Sequence, residues 1–238
     1  MPTRLTQLVF DTADLVAQAE FWSALLGWRH TYTDAEEAVV EPPSDGPLEL
    51  VFVPVQDPKT AKNRIHLDLS STSPDDQAAV VARAESLGAQ RISVGQAEVP
   101  WVVLADPEGN EFCVLEPRAE YASTGALAAI VVDTADVAAS ARFWAAAAGW
   151  DIVRQEEFAS LRHPSGSGPW LEFLPAGPRT VKNRLHLDVR PHAGDVQAEE
   201  VARLRALGAR TADVGQGEVT WVVLADPDGG EFCVLSPR

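Results

Sequence analysis

The sequence predicts an α+β fold built from four copies of one strand–helix–three-strand unit, two copies in each half of the chain. Three observations carry this. Lys62-Asn63-Arg64-Ile65-His66-Leu67-Asp68 returns as Lys182-Asn183-Arg184-Leu185-His186-Leu187-Asp188, with one conservative change in seven, at an offset of 120 residues. Val94 to Arg118 returns as Val214 to Arg238 with five of 25 positions changed. Inside each half the order of apolar periods, strand then helix then strands, occurs twice. The halves are read as domains 1–118 and 125–238, joined by a linker at 119–124.

Leu5 to Phe10 reads as the first strand. A helix follows from Asp14, a candidate cap, to Leu26, with Gly27 as its stop. Leu15, Ala19, Trp22 and Leu26 form its apolar stripe. Trp28 to Thr33, Ala38 to Glu41 and Leu48 to Val53 read as strands, with a turn at Ser44-Asp45-Gly46-Pro47. The second unit opens with the strand Ile65 to Ser70. Ser73-Pro74-Asp75-Asp76 then starts a helix, with a serine cap, a first-turn proline and acids at its positive end. That helix stops at Gly88. Arg91 to Val94, Val99 to Leu104 and Glu111 to Leu115 complete the half, the last two joined by Asp106-Pro107-Glu108-Gly109-Asn110. The second half repeats this plan. Asp133-Thr134-Ala135-Asp136 matches Asp11-Thr12-Ala13-Asp14, and Phe143-Trp144 matches Phe21-Trp22.

Composition narrows the function. No run of about 18 apolar residues exists, so no segment reads as a membrane span, and the amino-terminal residues lack the apolar stretch of a secretory signal. The two cysteines, Cys113 and Cys233, are repeat equivalents and too few for a disulfide scaffold, which fits a reducing cytoplasm. The net charge is −16, with 8 basic and 19 acidic residues in 1–118 and 11 and 16 in 119–238. A chain so acidic repels phosphate backbones, so nucleic acid is excluded as a partner.

In the repeated strand, Ile65, Leu67 and Leu69 share one face, and Arg64, His66 and Asp68 share the other. That second face is either solvated or the wall of a site. Trp101 and Trp221 share strand parity with Val103 and Val223, opposite Leu104 and Leu224. If Leu104 is core, Trp101 points into a cavity where an indole covers a flat ligand. Trp22 and Trp144 fall on helix stripes and read as core. His30, His163 and His192 have no repeat partner and read as surface residues. No nucleophile elbow, phosphate-binding glycine loop or zinc spacing is present.

Asp14 with Phe21-Trp22 and Leu26-Gly27-Trp28, the run Pro58 to Asp68, Leu87-Gly88-Ala89 and the run Trp101 to Cys113 together resemble the vicinal oxygen chelate superfamily. That superfamily comprises glyoxalase I, bleomycin-resistance proteins and extradiol dioxygenases, and the likeness is greatest to its actinobacterial glyoxalase-like branch. It covers essentially the whole chain, twice. The resemblance implies paired β-α-β-β-β units in curled eight-stranded sheets, helices on the convex side and a ligand on the concave side. It also implies that the two domains pack as an intrachain pseudo-dimer.

The metal-using relatives take ligands from the first, fourth, fifth and eighth strands, usually His or Gln, Glu, His and Glu. Carried over, this gives Gln7, Glu49, His66 and Cys113 in the first half, and Ala129, Glu172, His186 and Cys233 in the second. Alanine cannot ligate, and a thiolate suits softer ions than a carboxylate does. No cofactor is fixed by the residues. The resemblance allows a divalent metal in the first half, on Gln7, Glu49 and His66.

Two functional classes follow. In the first, a lyase or isomerase acts on a small oxygenated metabolite, with Arg64 or a metal polarising an oxygen and His66 or Glu49 moving a proton. In the second, a non-catalytic binder sequesters a small molecule. Ligand contacts are expected from Gln7, Asp68, Trp101 and Cys113 in the first half, and from Arg184, His186 and Trp221 in the second. Because only the first half has a polar first-strand residue, the pocket is expected there, touching Gln7, His66, Trp101 and Cys113.

Overall fold

The computed structural model describes residues 3–43, 46, 48–178 and 181–238. The turn expected at Ser44-Asp45-Gly46-Pro47 lies, apart from Gly46, outside them. The first half runs β1 (Arg4–Thr12), α1 (Leu15–Leu26), β2 (Arg29–Thr33), β3 (Ala38–Glu41), β4 (Glu49–Pro54), β5 (Ile65–Leu69), α2 (Pro74–Ser86), β6 (Gln90–Arg91), β7 (Val102–Ala105) and β8 (Glu111–Val114). The second half runs β9 (Leu127–Thr134), α3 (Val137–Ala148), β10 (Asp151–Gln155), β11 (Ala159–Arg162), β12 (Trp170–Pro175), β13 (Leu185–Arg190), α4 (Gln197–Ala206), β14 (Arg210–Thr211), β15 (Val222–Ala225) and β16 (Glu231–Val234).

Local chemistry sets the boundaries. The Asp14 carboxylate accepts from the Ala17 amide and caps α1, and Gly27 ends it at φ 69°. Ser73 caps α2 through the Asp76 amide, with Pro74 in the first turn. The strand expected at 91–94 shrinks to Gln90–Arg91, because the Gln96 side chain accepts from the Val94 amide and Gly95 turns at φ 86°. The strand expected from Val99 begins at Val102, since Pro100 has no N–H for a ladder.

The four units form two open eight-stranded sheets, each drawing one unit from either half. The first has the order β14-β15-β16-β13-β1-β4-β3-β2, and the second β10-β11-β12-β9-β5-β8-β7-β6. Sequence order suggests that neighbouring units share a sheet. Instead unit one pairs with unit four, through antiparallel β1 and β13, and unit two pairs with unit three, through β5 and β9.

Each half coheres by another route. Trp22 on α1 packs edge-on to Phe112 of β8 at 5.2 Å, and its indole N–H donates to Asp106 at 3.3 Å. Trp144 repeats this with Phe232 at 5.3 Å and Asp226 at 3.1 Å. So helices tie units together within a half, and strands tie the halves together. One continuous core lies between the helices and both sheets. Two smaller apolar clusters sit on the opposite sheet faces: Val9, Val39 and Val51 on the first, and Val103, Cys113, Ala129 and Val131 on the second.

The seam between the halves is ionic. Arg64, expected as a catalytic group, donates to the carbonyls of Asp133 at 3.2 Å and Gly177 at 2.5 Å, with Asp228 at 3.6 Å. Arg184, expected as a ligand contact, does the same from the other side, to the carbonyls of Asp11 at 2.6 Å and Asp57, with Glu108 at 3.4 Å. Lys62 pairs with Asp133 at 2.6 Å, and Lys182 pairs with Asp11. Both arginines thus leave the face they share with the histidines and serve as clamps, because carbonyls and carboxylates of the opposite half occupy their donors.

Candidate functional site

Residues opposite one another on neighbouring strands share a face, so register defines what each basin contains. On the first sheet, Gln7 stands opposite Glu49 and Asp188, and Asp188 stands opposite Cys233. One pleat along, Val9 stands opposite Val51 and His186, and Val51 opposite Val39. On the second sheet, Ala129 stands opposite Trp170 and Asp68, and Asp68 opposite Cys113. One pleat along, Val131 stands opposite Glu172 and His66, and Glu172 opposite Ser160.

The expected pocket of Gln7, His66, Trp101 and Cys113 is therefore divided. Gln7 and Glu49 belong to the first basin, with His186 and Cys233. His66, Asp68, Cys113 and Trp101 belong to the second, with Glu172. The expected equivalence of Glu49 and Glu172 shifts by one pleat, since Trp170 occupies the Glu49 position and Glu172 that of Val51. Of the expected surface histidines, His30 is exposed while His163 and His192 are half-buried.

Both basins contain the same triplet. His66 Nε2 lies 3.4 Å from Asp68 Oδ1, and His186 Nε2 lies 3.4 Å from Asp188 Oδ1. In each triplet one histidine nitrogen, one carboxylate oxygen and the cysteine sulfur all lie within 4.8 Å of one another. Burial pushes both carboxyls up, opposed by the neighbouring histidine and a hydrogen bond from the cysteine. Burial and the aspartate push both thiols up, so Cys113 and Cys233 are held as neutral donors.

The first basin sets Gln7 and Glu49 on one face with His186 and Cys233, in place of the His66 and Cys113 that the resemblance implies, and there His186, Asp188 and Cys233 bring ligand atoms for a divalent ion within 4.8 Å of one another. The Gln7 amide nitrogen donates to Glu49 at 3.2 Å, which leaves its oxygen for a ligand, and His186 and Cys233 complete the set. Cys233 would have to release its proton, which favours a softer ion than an all-oxygen site holds. The second basin fits one poorly, because Ala129 and Trp170 hold the corresponding first- and fourth-strand places.

The second basin instead contains a cavity of about 280 Å³ lined by Tyr121, Arg154, Ser160, Trp170 and Glu172 among others. Glu172 accepts from the Ser160 hydroxyl at 2.9 Å and from the Tyr121 hydroxyl at 3.3 Å to each oxygen. Burial pushes the Glu172 carboxyl up, and the charges of Asp68 and Glu120 push the same way. Trp101 packs beside Tyr121 and Cys113, and the Arg118 guanidinium lies 5.7 Å from Trp101 and 5.9 Å from Tyr121. In the first basin, by contrast, Trp221 is 40% exposed.

Sequence reasoning missed Tyr121, Ser160 and Trp170. Tyr121 lies in the linker, whose residues Ala119–Tyr121 form a 3-10 turn that folds the ring under β12. Its available signal was a buried-type aromatic inside a supposed spacer.

Comparison with known proteins agrees with this architecture. A family model described as a glyoxalase-like domain matches residues 7–115 and again 129–235. Glyoxalase I from Zea mays superposes with a TM-score of 0.67 at 17% identity, covering 98% of this chain and 92% of that one. A putative dioxygenase from Bacillus subtilis superposes with a TM-score of 0.65 at 12% identity, covering 99% and 86%. At such identities the likeness concerns the fold. No curated protein sequence matches the chain.

Proposed function

The chain belongs to the glyoxalase-like domain family, and from that premise we propose that it binds and sequesters a small molecule in the basin of the second sheet. One observation carries the reading: a half-open cavity lined by Glu172, which Ser160 and Tyr121 hold, and by Trp170. Pockets that hold small ligands combine apolar walls with a few fixed polar groups. Ala129 and Trp170 replace would-be ligand donors with apolar surface, which favours holding a molecule over polarising it through a metal. The cavity is lined by residues 120–172, while β5 and β8 of the first half place His66, Asp68 and Cys113 on the neighbouring part of the same sheet face. A thermal-shift screen of metabolites on metal-stripped protein tests the reading. Hits are expected to disappear in Trp170→Ala and persist in Gln7→Ala. Hits that require Gln7 and ignore Trp170 would move the site to the first sheet.

A second reading, a metal-assisted lyase or isomerase step in the first basin, is favoured by the convergence of Gln7, Glu49, His186 and Cys233. A bound divalent ion there would supply polarisation of a ligand oxygen. Glu49 is the group on that face suited to moving a proton, and Val9, Val39 and Val51 would wall off water. Elemental analysis of protein purified without chelators checks it, since this reading expects an ion lost in His186→Ala and kept in His66→Ala.

A further inference from the structure

We propose that the occupant of the second basin is an organic cation, an ammonium group joined to a planar or apolar body, with its charge against Glu172 and its body against Trp170 and Tyr121. This rests on the reading of that basin as a small-molecule site and adds the charge and shape of the ligand.

The first ground is a buried carboxyl without a positive partner. Glu172 is 6% exposed. Its hydrogen bonds come from the neutral hydroxyls of Ser160 and Tyr121, and among the described residues no lysine, arginine or histidine forms an ion pair with it. Burial raises its carboxyl against the pull of those two hydroxyl donors, so a cation seated beside it would favour the ionised, acceptor-only form. A second carboxylate, Asp68, lies on the same face, with its Oδ1 buried and accepting no hydrogen bond and His66 as its ionic neighbour at 3.4 Å. Buried charges are ordinarily paired, because an unpaired one carries its full desolvation penalty.

The second ground is that nearby positive groups are committed elsewhere. Of the residues lining the cavity, Glu120, Glu156 and Glu172 are acidic and Arg154 alone is basic. Arg154 sits 3.7 Å from Glu120. Arg118 is bound to Glu116 at 2.7 Å, and Arg162 donates to the carbonyls of Gly166 and Gly168. The opening therefore presents excess negative charge, which repels anions and concentrates cations.

The third ground is the aromatic wall. Arg162 lies 5.2 Å from the centroid of Trp170, and Arg118 lies 5.9 Å from that of Tyr121. Guanidinium groups already sit on both rings, so what the cavity offers the body of a ligand is the remaining aromatic surface of Trp170 and Tyr121. A cavity of about 280 Å³ exceeds what a bare ion fills, which points to an organic cation rather than an inorganic one.

The test is calorimetric titration of the whole chain with three aryl probes of matched shape. These are benzyltrimethylammonium, its uncharged carbon isostere neopentylbenzene, and the anion phenylacetate, with potassium and magnesium chloride as inorganic arms. Benzyltrimethylammonium is expected to bind at least about tenfold tighter than the isostere, with phenylacetate and both salts giving no saturable heat. Glu172→Gln is expected to erase that preference. Glu156→Gln, at an exposed rim position, is expected to weaken the cation about two- to fivefold without touching the core, and it decides the matter if Glu172→Gln folds poorly. Equal or tighter binding of neopentylbenzene or phenylacetate, lost in Trp170→Ala, would overturn the cationic ligand and leave the binding site standing. Saturable binding of a bare salt ion at Glu172 would overturn the organic ligand. If no probe binds and Trp170→Ala changes no hit in the metabolite screen, both readings fall.

Discussion

The two basins share their central triplet and differ in everything around it. His66, Asp68 and Cys113 superpose in type and register on His186, Asp188 and Cys233. Around them, Gln7 faces Ala129, Glu49 faces Trp170, Val51 faces Glu172, and Val39 faces Ser160, position for position. The first basin keeps polar donors at its outer row and valines at the next. The second puts an alanine and an indole at the outer row and a buried carboxylate with a serine at the next. Duplication preserved the strands that join the sheets, and divergence on the flanking strands gave the two faces different chemistry.

Breaking the difference should have the largest effect. Trp170→Glu with Glu172→Val rebuilds the second basin in the pattern of the first, and small-molecule binding there should fall roughly a hundredfold, or about 2.7 kcal/mol, by titration against wild type. A smaller change is expected for metal. If the first basin holds an ion, His186→Ala should release it and His66→Ala should not, because Gln7 and Glu49 share a sheet with His186. Release by both substitutions would mean the triplet alone binds.

A pH series sharpens the comparison further. Burial raises the Asp68 carboxyl above its ordinary value of 3.8, so the folded chain holds that proton more tightly than the unfolded chain. Stability from this group is therefore present in acid and lost as pH rises from about 4 through the folded-state pKa. Facing it are His66, Cys113, Arg118 and Glu116. Asp68→Asn, which still accepts from the Cys113 thiol, should raise the melting temperature above wild type by about 2–4 °C at pH 8. The gain should fade toward pH 4, and a gain that does not change with pH would contradict burial as the cause. The smallest effect concerns Arg118. Arg118→Gln removes the guanidinium from Trp101 and Tyr121 and should cost about 0.5–1 kcal/mol in denaturant unfolding.

Much of the fold is legible in the chain because duplication is. The Asp14 cap, the Gly27 stop and the Ser73-Pro74 helix start all have local physical causes, and the structure uses them as written. Unit pairing is not legible for the same reason. β1 must choose between two strands that both read His-Leu-Asp, and no local preference separates them. The pairing adopted is tied at the seam, where Arg64 and Arg184 find acceptors in the opposite half. The site suffers accordingly. His66 and Asp68 were identifiable from strand parity and Cys113 from the family likeness, but Gln7 was assigned beside the wrong histidine. Glu172 was visible as a residue but displaced by one pleat: the turn between β10 and β11, at 156–158, is one residue shorter than that between β2 and β3, at 34–37. Tyr121 was hidden by its place in a linker, where nothing in the spacing announces that a ring reaches a carboxylate 51 residues away.

The seven tryptophans offer the most direct test that the second basin is the working site. Their indole N–H resonances, assigned by single Trp→Phe replacement, can be followed while the chain is titrated with benzyltrimethylammonium. The account predicts that Trp170, whose indole donates to the Glu120 carbonyl at 3.3 Å, and Trp101 shift together to saturation. Trp221 of the first basin and the helix-packed Trp22 and Trp144 should stay in place. Movement of Trp221 with Trp170 unmoved would place the ligand on the first sheet and contradict it.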